Sequence, residues 1–317
     1  MHKFRWFHRV LSPLLVLTLV IAGTGVVLAR QVAVTSAAGT LKVARYGNHG
    51  RPVILIPGLQ GGPWVWQQTI AQLEKTHVVY AVTLAGFDGI PAPTEGADGG
   101  NLFDRANASL LQLIEQQKIA KPVLVGHSLG DTLALRFAGE HPNLISGVVA
   151  VDGLLIFPGM ERVSAEQQQA LAEQTRVAMA ALTPAQFKAQ ALAYMQRIGV
   201  IDPQLAVRYA SMNARSDIKA SAQYMAEDLA SDLRPGLKHA NVPILEISPY
   251  YAPDFRKAAA MSQQPVTTEQ QKTAYYQGLL ANAPDAKVLS ISPSRHYVML
   301  DQPAKFQQAL ADFLKNL

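Results

Sequence analysis

The feature that most constrains the fold of this chain is a Gly-x-Ser-x-Gly pentapeptide at 126–130, at the end of a short apolar run. The run at 123–127 predicts a buried strand, and apolar residues at helical spacing follow as far as Phe137. A serine on a sharp turn between a strand and a helix projects its hydroxyl out of the sheet. The glycines on either side fit positions where a Cβ would collide with neighbouring backbone. The stretch therefore predicts a nucleophilic serine, Ser128.

Strands and helices are predicted in alternation along the first half of the chain, which favours a parallel sheet with helices on both faces. The continuous apolar runs at 52–56 and 147–151 are typical of strands buried on both faces. From about residue 153 to residue 240 no strand is predicted, and helical patterns take over. Strand signals resume at 242–247 and 286–291.

The helical segment at 153–240 is therefore predicted to be an insertion within a single α/β domain that spans 30–317. An insertion at the carboxyl ends of the strands lies over the serine turn. There it can act as a lid that encloses substrate and excludes water. Five methionines lie in this segment, and they suit either an adaptable apolar binding surface or the packing of a helical bundle.

Residues 1–29 have the composition of a targeting segment. Lys3, Arg5 and Arg9 precede the apolar run 10–29, and no acidic residue occurs in this segment. This pattern is typical of a signal peptide with a cleavage site near the end of the apolar run. The run is also as long as the ~20 residues that span a bilayer, so a retained signal anchor is the alternative. Either case predicts an exported protein, periplasmic or secreted, and the anchor would attach it to the inner membrane.

The charge and the composition exclude several classes of function. The formal net charge is +5, and three of these charges belong to the leader, so the remaining chain lacks the basic patch expected of a nucleic-acid-binding protein. The chain has no cysteine, which excludes disulfides, thiolate zinc sites and cysteine nucleophiles. No cluster of metal ligands and no phosphate-binding glycine loop is visible in the sequence, so we expect neither a metal nor a cofactor.

A serine hydroxyl becomes a good nucleophile when a base takes its proton and a third group orients that base. Of the eight histidines, His296 is the one that follows the last predicted strand and precedes the closing helix. His127, inside the pentapeptide, is expected to point away from the serine. We therefore predict that His296 is the base for Ser128.

The oxyanion formed by attack on a carbonyl needs two hydrogen-bond donors. In this architecture one donor is the backbone N–H after the serine, which belongs to Leu129. The other comes from the loop after the first buried parallel strand, where Leu59 is predicted and Gln60 is the alternative.

These parts together resemble the α/β-hydrolase superfamily, in its group of serine esterases, haloperoxidase-like enzymes and C–C hydrolases. The matching segments are 56–59, 126–130 and 295–303, the last of which is similar to the family ending Gly-His-x-x-x-x-Glu-x-Pro. The resemblance covers about residues 40 to 317. It implies an α/β-hydrolase fold with a mostly parallel central sheet, helices on both faces and a helical lid inserted between strands. Where the family commonly has His-Gly, this chain has Pro57-Gly58, which leaves the backbone donors intact.

The resemblance offers two places for the acid of the triad. Asp254 lies near the usual place, after the strand at 242–247, but about two residues late. Asp152 follows the strand at 147–151, a place used by members similar to haloalkane dehalogenases. A carboxylate at the mouth of a buried strand needs a partner, and an imidazolium is suitable, so we favour Asp152. Asp301 is expected to cap the turn into the last helix.

A serine nucleophile in this family implies acyl transfer to water, on a carboxylester, lactone, thioester, amide or activated C–C bond. It excludes the dehalogenase and epoxide hydrolase chemistry that uses a carboxylate nucleophile in this fold. The apolar insertion favours a small hydrophobic substrate with an acyl group. Two alternatives stay open, a cofactor-free perhydrolase of the haloperoxidase type and a hydrolase-fold binding protein with a vestigial triad.

Overall fold

The computed structural model describes residues 34–93, 101–261 and 266–317, with the backbone alone at 34 and 257–261. The predicted signal peptide or signal anchor at 1–29 lies outside these residues. Among the residues that the structure describes, no helix combines the length and the apolar character needed to cross a membrane.

A single eight-stranded sheet forms the centre of the fold, in the spatial order β1-β2-β4-β3-β5-β6-β7-β8. The strands, in chain order, are β1 (Val34–Ala38), β2 (Leu41–Tyr46), β3 (Pro52–Ile56), β4 (Val78–Thr83), β5 (Val123–His127), β6 (Gly147–Val151), β7 (Ile244–Pro249) and β8 (Ala286–Ile291). The β1–β2 and β2–β4 pairs are antiparallel, and every other neighbouring pair is parallel. The predicted mostly parallel sheet is confirmed. Its central strands β5 and β6 are buried along their whole length, which explains their continuous apolar runs.

Helices connect the strands, and the predicted helical segment at 153–240 is present. Within the described residues they are α1 (Gln67–Leu73), α2 (Leu102–Gln116), α3 (Leu129–Glu140), α4 (Ala165–Ala180), α5 (Pro184–Tyr194), α6 (Pro203–Asn213), α7 (Ile218–Leu229), α8 (Ala252–Met261), α9 (Glu269–Leu279), α10 (Val298–Asp301) and α11 (Pro303–Lys315). Helix α8 was not predicted, and Asp254 was described only by its distance from the preceding strand. Pro253 lies in the first turn of α8, where a helix does not need the missing N–H.

The sheet is covered on both faces, and the helices divide between two apolar clusters. Leu113 of α2 and Phe137 of α3 are fully buried in the cluster on one face. Ile70 of α1 and Phe306 of α11 belong to the cluster on the other face. The two clusters hold the sheet rigid, and the carboxyl ends of its parallel strands present the loops that follow β3, β5 and β6 along one edge.

Helices α4 to α7 lie between β6 and β7 in the chain, and the described segment 153–240 contains no strand. Each of the four begins with a side chain that accepts a hydrogen bond from the first turn, at Ser164, Thr183, Asp202 and Asp217. Such caps satisfy backbone donors that the helix itself cannot. The chain therefore stops and restarts the helix at defined residues, and the segment forms a compact helical insertion rather than one long helix.

Candidate active site

Ser128 occupies the sharp turn between β5 and α3. Its backbone has φ 54° and ψ −124°, a conformation that residues other than glycine rarely adopt. The N–H of Ser128 donates to the carbonyl of Val151 on β6 at 2.9 Å, so the neighbouring strand helps to hold the turn. Ser128 is half-buried and lines a cavity of about 1200 Å³. Strained, over-determined backbone of this kind clusters at functional sites.

The glycines on both sides of Ser128 are required by close backbone contacts. A Cβ at Gly126 would collide with the carbonyl of Gly130, and a Cβ at Gly130 would collide with the carbonyl of Ile56. The reason predicted for these two glycines is confirmed.

His296 and Asp152 form a hydrogen-bonded pair in the wall of the same cavity. His296 Nδ1 lies 2.7 Å from Asp152 Oδ2, and both side chains are mostly buried. An acceptor at Nδ1 requires the proton to be on that nitrogen, which leaves Nε2 free to accept another proton. Asp152 directly follows β6 and has φ 48°, so its side chain leaves the strand at a sharp turn. The structure thus brings Ser128, His296 and Asp152 to one cavity.

Two side chains of α9 bind the other oxygen of Asp152. Lys272 Nζ lies 3.0 Å from Oδ1 and the Tyr276 hydroxyl donates to it at 2.7 Å. Burial alone would raise the pKa of Asp152, but the Lys272 charge and the hydrogen bonds from His296 and Tyr276 hold it well below its usual value. Asp152 is therefore a carboxylate at neutral pH. Lys272 and Tyr276 were not singled out by the sequence, although their spacing puts them on one helix face.

A second pair of acids holds the backbone of the Asp152 turn. Asp131 Oδ2 accepts from the N–H of Gly153 at 2.7 Å, and Glu246 Oε1 accepts from the N–H of Asp152 at 3.1 Å. Burial, which is the main cause, raises the pKa of Asp131 to about 8 and that of Glu246 well above its usual value. The two carboxyl groups also interact, so the pair holds a proton at neutral pH. An acid inside the apolar strand β7 was the one sequence signal for this pair.

Asp254, the alternative acid, lies in α8 and binds Arg295. Arg295 Nε and Nη2 donate to its two carboxylate oxygens at 2.7 and 2.8 Å. Arg295 Nη1 also donates to the carbonyls of Gln196 at 2.7 Å and Val200 at 3.0 Å. Asp254 therefore orients an arginine that binds the helical insertion, whereas the described contact of His296 with a carboxylate is with Asp152.

The loop that carries His296 is bonded through its backbone to the helical insertion. The N–H of His296 donates to the carbonyl of Ile198 at 3.1 Å, and the N–H of Tyr297 donates to that of Gly199 at 3.0 Å. We call these two bonds the seam. Because they involve the backbone of the histidine itself, the position of the imidazole depends on the position of the insertion.

Asp301 strengthens the same contact. Its carboxylate accepts from the N–H of Ile201 at 2.9 Å and from the N–H of Arg295 at 2.8 Å. The expectation that Asp301 caps the last helix is wrong, since the residue before α11 is Gln302, which makes no side-chain cap. The sequence places Asp301 beside the start of the helix, but its carboxylate oxygen accepts a hydrogen bond from Ile201, which is 100 residues away in the chain.

His127, which precedes the serine, is fully buried beneath His296. Its Nε2 donates to the backbone carbonyl of His296 at 3.1 Å, and the two ring centroids lie 4.5 Å apart. Burial, together with the adjacent His296 ring, keeps the pKa of His127 well below its usual value. His127 is therefore neutral and supports the loop of the other histidine.

The predicted oxyanion donors, Leu59 and Leu129, both line the cavity beside Ser128. The N–H of Leu129 is in the first turn of α3, where the helix supplies no acceptor and the helix dipole is positive. The N–H of Leu59 makes no hydrogen bond to any residue that the structure describes. Gln60, the alternative donor, has φ 60° and also lines the cavity.

No group of three or more metal-ligating side chains is present in the described ranges. The sequence model of the alpha/beta hydrolase family matches residues 53–309. The chain belongs to the alpha/beta hydrolase family. Both the predicted superfamily and the predicted fold are thereby confirmed, and the match runs from β3, through the pentapeptide, to α11.

Individual relatives of this alpha/beta hydrolase are distant. The pig protein named 1-acylglycerol-3-phosphate O-acyltransferase ABHD5 is 28% identical over 151 residues, which are 46% of this chain and 41% of the pig protein. The chain thus matches less than half of that relative's length.

Two solved structures have the same fold. A bromoperoxidase from Bacillus anthracis has a TM-score of 0.68 at 18% identity and covers 89% of this chain and 99% of its own. An esterase from Exiguobacterium antarcticum has a TM-score of 0.66 at 18% identity and covers 90% and 99%. At this identity the likeness concerns the fold alone.

Proposed function

We propose that this alpha/beta hydrolase is a serine hydrolase that transfers the acyl group of a small hydrophobic ester, lactone or thioester to water. One observation carries the proposal. Ser128, on a strained turn, shares a cavity with His296, and Asp152 binds Nδ1 of that histidine at 2.7 Å. Nucleophile, base and orienting acid are recognised by such geometry rather than by their order in the chain.

The reaction would proceed in two halves. Ser128 Oγ attacks the carbonyl carbon while His296 Nε2 takes the hydroxyl proton, and the N–H groups of Leu59 and Leu129 bind the oxyanion. The bond to the leaving oxygen or sulfur then breaks, and His296 returns the proton to the leaving group. Water attacks the acyl-serine with His296 as base, the acid leaves, and Ser128 regains its proton. Asp152 stays ionised and stabilises the imidazolium in both halves.

The lining of the cavity supports a hydrophobic acyl group. Its volume of about 1200 Å³ exceeds the usual range for small-molecule sites, and the insertion contributes Phe187, Met179 and Met225 to its wall. Apolar lining favours the transfer of apolar groups out of water. A protein named as an O-acyltransferase is among the relatives of this chain, which also supports acyl chemistry.

The test is labelling and turnover at Ser128. We expect a fluorophosphonate probe to label wild-type protein at Ser128 and p-nitrophenyl esters to be hydrolysed. Ser128→Ala should lose the label and lower kcat by at least about a thousandfold, because the residual rate comes from the oxyanion donors and binding alone. Ser211→Ala, an exposed serine on α6, should retain both and serves as the control.

The same experiment separates the two alternatives. Folded wild-type protein that takes no label and cleaves no ester would favour a binding protein with a vestigial triad. Peroxide-dependent halogenation without any ester hydrolysis would favour the perhydrolase of the haloperoxidase type.

We also propose that the protein works outside the cytoplasm, either released or attached to the membrane by residues 10–29. The support is the basic, acid-free leader and its apolar run. Full-length protein and a variant lacking residues 1–29 should be compared by cell fractionation and intact mass. A mass that begins near residue 30 indicates cleavage, whereas full-length protein in the membrane indicates an anchor. Full-length protein found in the cytoplasm, like the truncated control, would contradict export.

A further inference from the structure

Two polar residues of the insertion line the cavity and are almost completely buried. Asn213, the last residue of α6, is 2% exposed, and Asp228, near the end of α7, is 7% exposed. Both belong to the wall that also contains Ser128, and apolar residues of the insertion such as Phe187 and Met225 complete that wall. Carboxyl and amide side chains are mostly exposed in proteins, so their burial among apolar residues is unusual.

Neither side chain is fully satisfied by the protein. Asn213 Oδ1 and Asp228 Oδ1 have no hydrogen-bond partner within the part of the chain that the structure describes. Asn213 Nδ2 lies 3.5 Å from the Tyr297 hydroxyl, which is a weak contact. Burial raises the pKa of Asp228 to about 7, and the neighbouring Thr132 hydroxyl opposes that effect. A buried acceptor without a partner costs free energy, so it is retained when something else binds it.

The two residues adjoin residues next to Ser128 and His296. Thr132, beside Asp228, is in the first turn of α3, and its N–H donates to the backbone carbonyl of Ser128 at 3.0 Å. Tyr297, beside Asn213, directly follows His296 in the chain. Asn213 and Asp228 therefore line the same cavity as Ser128 and His296, on the side formed by the insertion.

We propose that Asn213 and Asp228 form a polar subsite that binds a hydrogen-bond donor, a hydroxyl or an ammonium group, on an otherwise apolar acyl substrate. This inference rests on the proposed function and narrows its substrate class. A site built to hydrogen-bond a substrate group discriminates strongly against the analogue that lacks it, because its own buried polar atoms are then left unpaired. The apolar wall would bind the chain, and the subsite would select its substituent.

The experiment uses matched p-nitrophenyl esters of one chain length, unsubstituted or carrying one hydroxyl or one ammonium group at successive carbons. For wild-type protein we expect the ester substituted at one of these carbons to have a kcat/KM at least about tenfold higher than that of the unsubstituted ester. Asp228→Leu and Asn213→Leu should each reduce that ratio towards one while retaining turnover of the unsubstituted ester. Asp228→Asn, which keeps an acceptor but has no charge, distinguishes binding of a hydroxyl group from binding of an ammonium group. It should retain a preference for hydroxyl and lose a preference for ammonium.

Gln190→Leu is the control, because Gln190 also lines the cavity but is exposed to solvent. Its ratio of kcat/KM between the substituted and the unsubstituted ester should match that of wild type. Dissociation constants of the corresponding methyl ketones, measured by calorimetry on Ser128→Ala protein, provide a second readout that does not depend on turnover. We expect the same ratio there, reduced again by Asp228→Leu and Asn213→Leu in the Ser128→Ala background.

The outcomes distinguish this inference from the proposed function. Ester turnover with no preference at any position, and ketone binding equally without preference, would overturn the subsite and leave the hydrolase intact. Absence of turnover with selective ketone binding that depends on Asp228 would overturn the hydrolase and support the subsite. If Asp228→Leu fails to fold, Asp228→Asn and Asn213→Leu still decide the question.

Discussion

Lys272 Nζ lies 3.0 Å from Oδ1 of Asp152, while His296 binds the other oxygen of the same carboxylate. In the proposed mechanism, the carboxylate that orients the base is therefore shared with the ammonium group of Lys272. A positive charge beside Asp152 competes with the imidazolium that forms at His296, so it lowers the tendency of the pair to take up a proton. In the proposed mechanism His296 Nε2 has to be unprotonated before it can take the proton of the Ser128 hydroxyl.

Lys272→Met should accordingly move the acid limb of the kcat/KM profile to higher pH. Without the ammonium group, the Asp152–His296 pair binds a proton more tightly, and the base is inactivated at a pH where the wild-type enzyme still works. Lys272→Arg should restore the acid limb of the wild-type profile. Lys188→Met, at an exposed residue of α5, should not move that limb. A purely structural role for Lys272 would instead lower kcat/KM without moving the limb.

Substitution of the two candidate acids should have unequal effects. Asp152→Asn leaves His296 without its anionic partner, and we expect kcat to fall by up to about ten-thousandfold. Asp254→Asn weakens the pair with Arg295 and should lower kcat by about tenfold at most, through looser binding of the insertion. Measured kcat values for the two variants, with circular dichroism to verify folding, make the comparison. The reverse order would assign the acid to Asp254.

Asp131 should make the protein less stable as the pH rises. Its pKa in the folded protein is raised to about 8, so between about pH 4 and pH 8 the native state holds a proton that the unfolded chain releases. The free energy of unfolding should therefore fall across this range, by up to about 1.4 kcal/mol per pH unit for one such group. In Asp131→Asn, whose amide oxygen can still accept from the N–H of Gly153, the free energy of unfolding should decrease less over the same pH range.

Urea unfolding at pH 5 and pH 8 measures this difference. Asp312→Asn is the control, because Asp312 is exposed on α11. Equal pH dependence in wild-type, Asp131→Asn and Asp312→Asn protein would contradict a raised pKa at Asp131.

Two glycine substitutions should act in opposite directions. Gly126→Ala places a Cβ against the carbonyl of Gly130, and we expect a clear fall in Tm together with loss of activity. Gly278 is an exposed residue of α9, and no atom lies within 4 Å of the Cβ that Gly278→Ala would add. This substitution should stabilise the helix by about 0.5–1 kcal/mol. A Gly126→Ala protein with unchanged Tm would mean that the turn adjusts without cost.

The central strands were predictable because strands buried on both faces must be continuously apolar, and the serine turn was predictable because its backbone demands glycine at fixed positions. These are local requirements. The contacts around Asp152 are not local, since Lys272 and Tyr276 come from a helix 120 and 124 residues further along the chain. Their spacing on α9 was visible in the sequence, but nothing in it indicated which carboxylate that helix face would meet.

The contrast between Asp152 and Asp254 has the same origin. Both follow a strand, and Asp152 was favoured because a carboxylate at the mouth of a buried strand needs a partner. Arg295 decides the geometry, because it immediately precedes His296 and binds Asp254 with two hydrogen bonds. A pairing between residues 41 positions apart depends on how α8 packs, and that helix was not predicted.

The seam, in which His296 and Tyr297 donate their N–H groups to Ile198 and Gly199, joins two parts of the chain that are 98 residues apart in sequence. A substitution that shifts the backbone at 198–199 should therefore also shift the imidazole of His296, because the bonds connect the two backbones directly. The alignment of that side chain thus limits which sequence changes the insertion can tolerate, even at residues that line no part of the cavity.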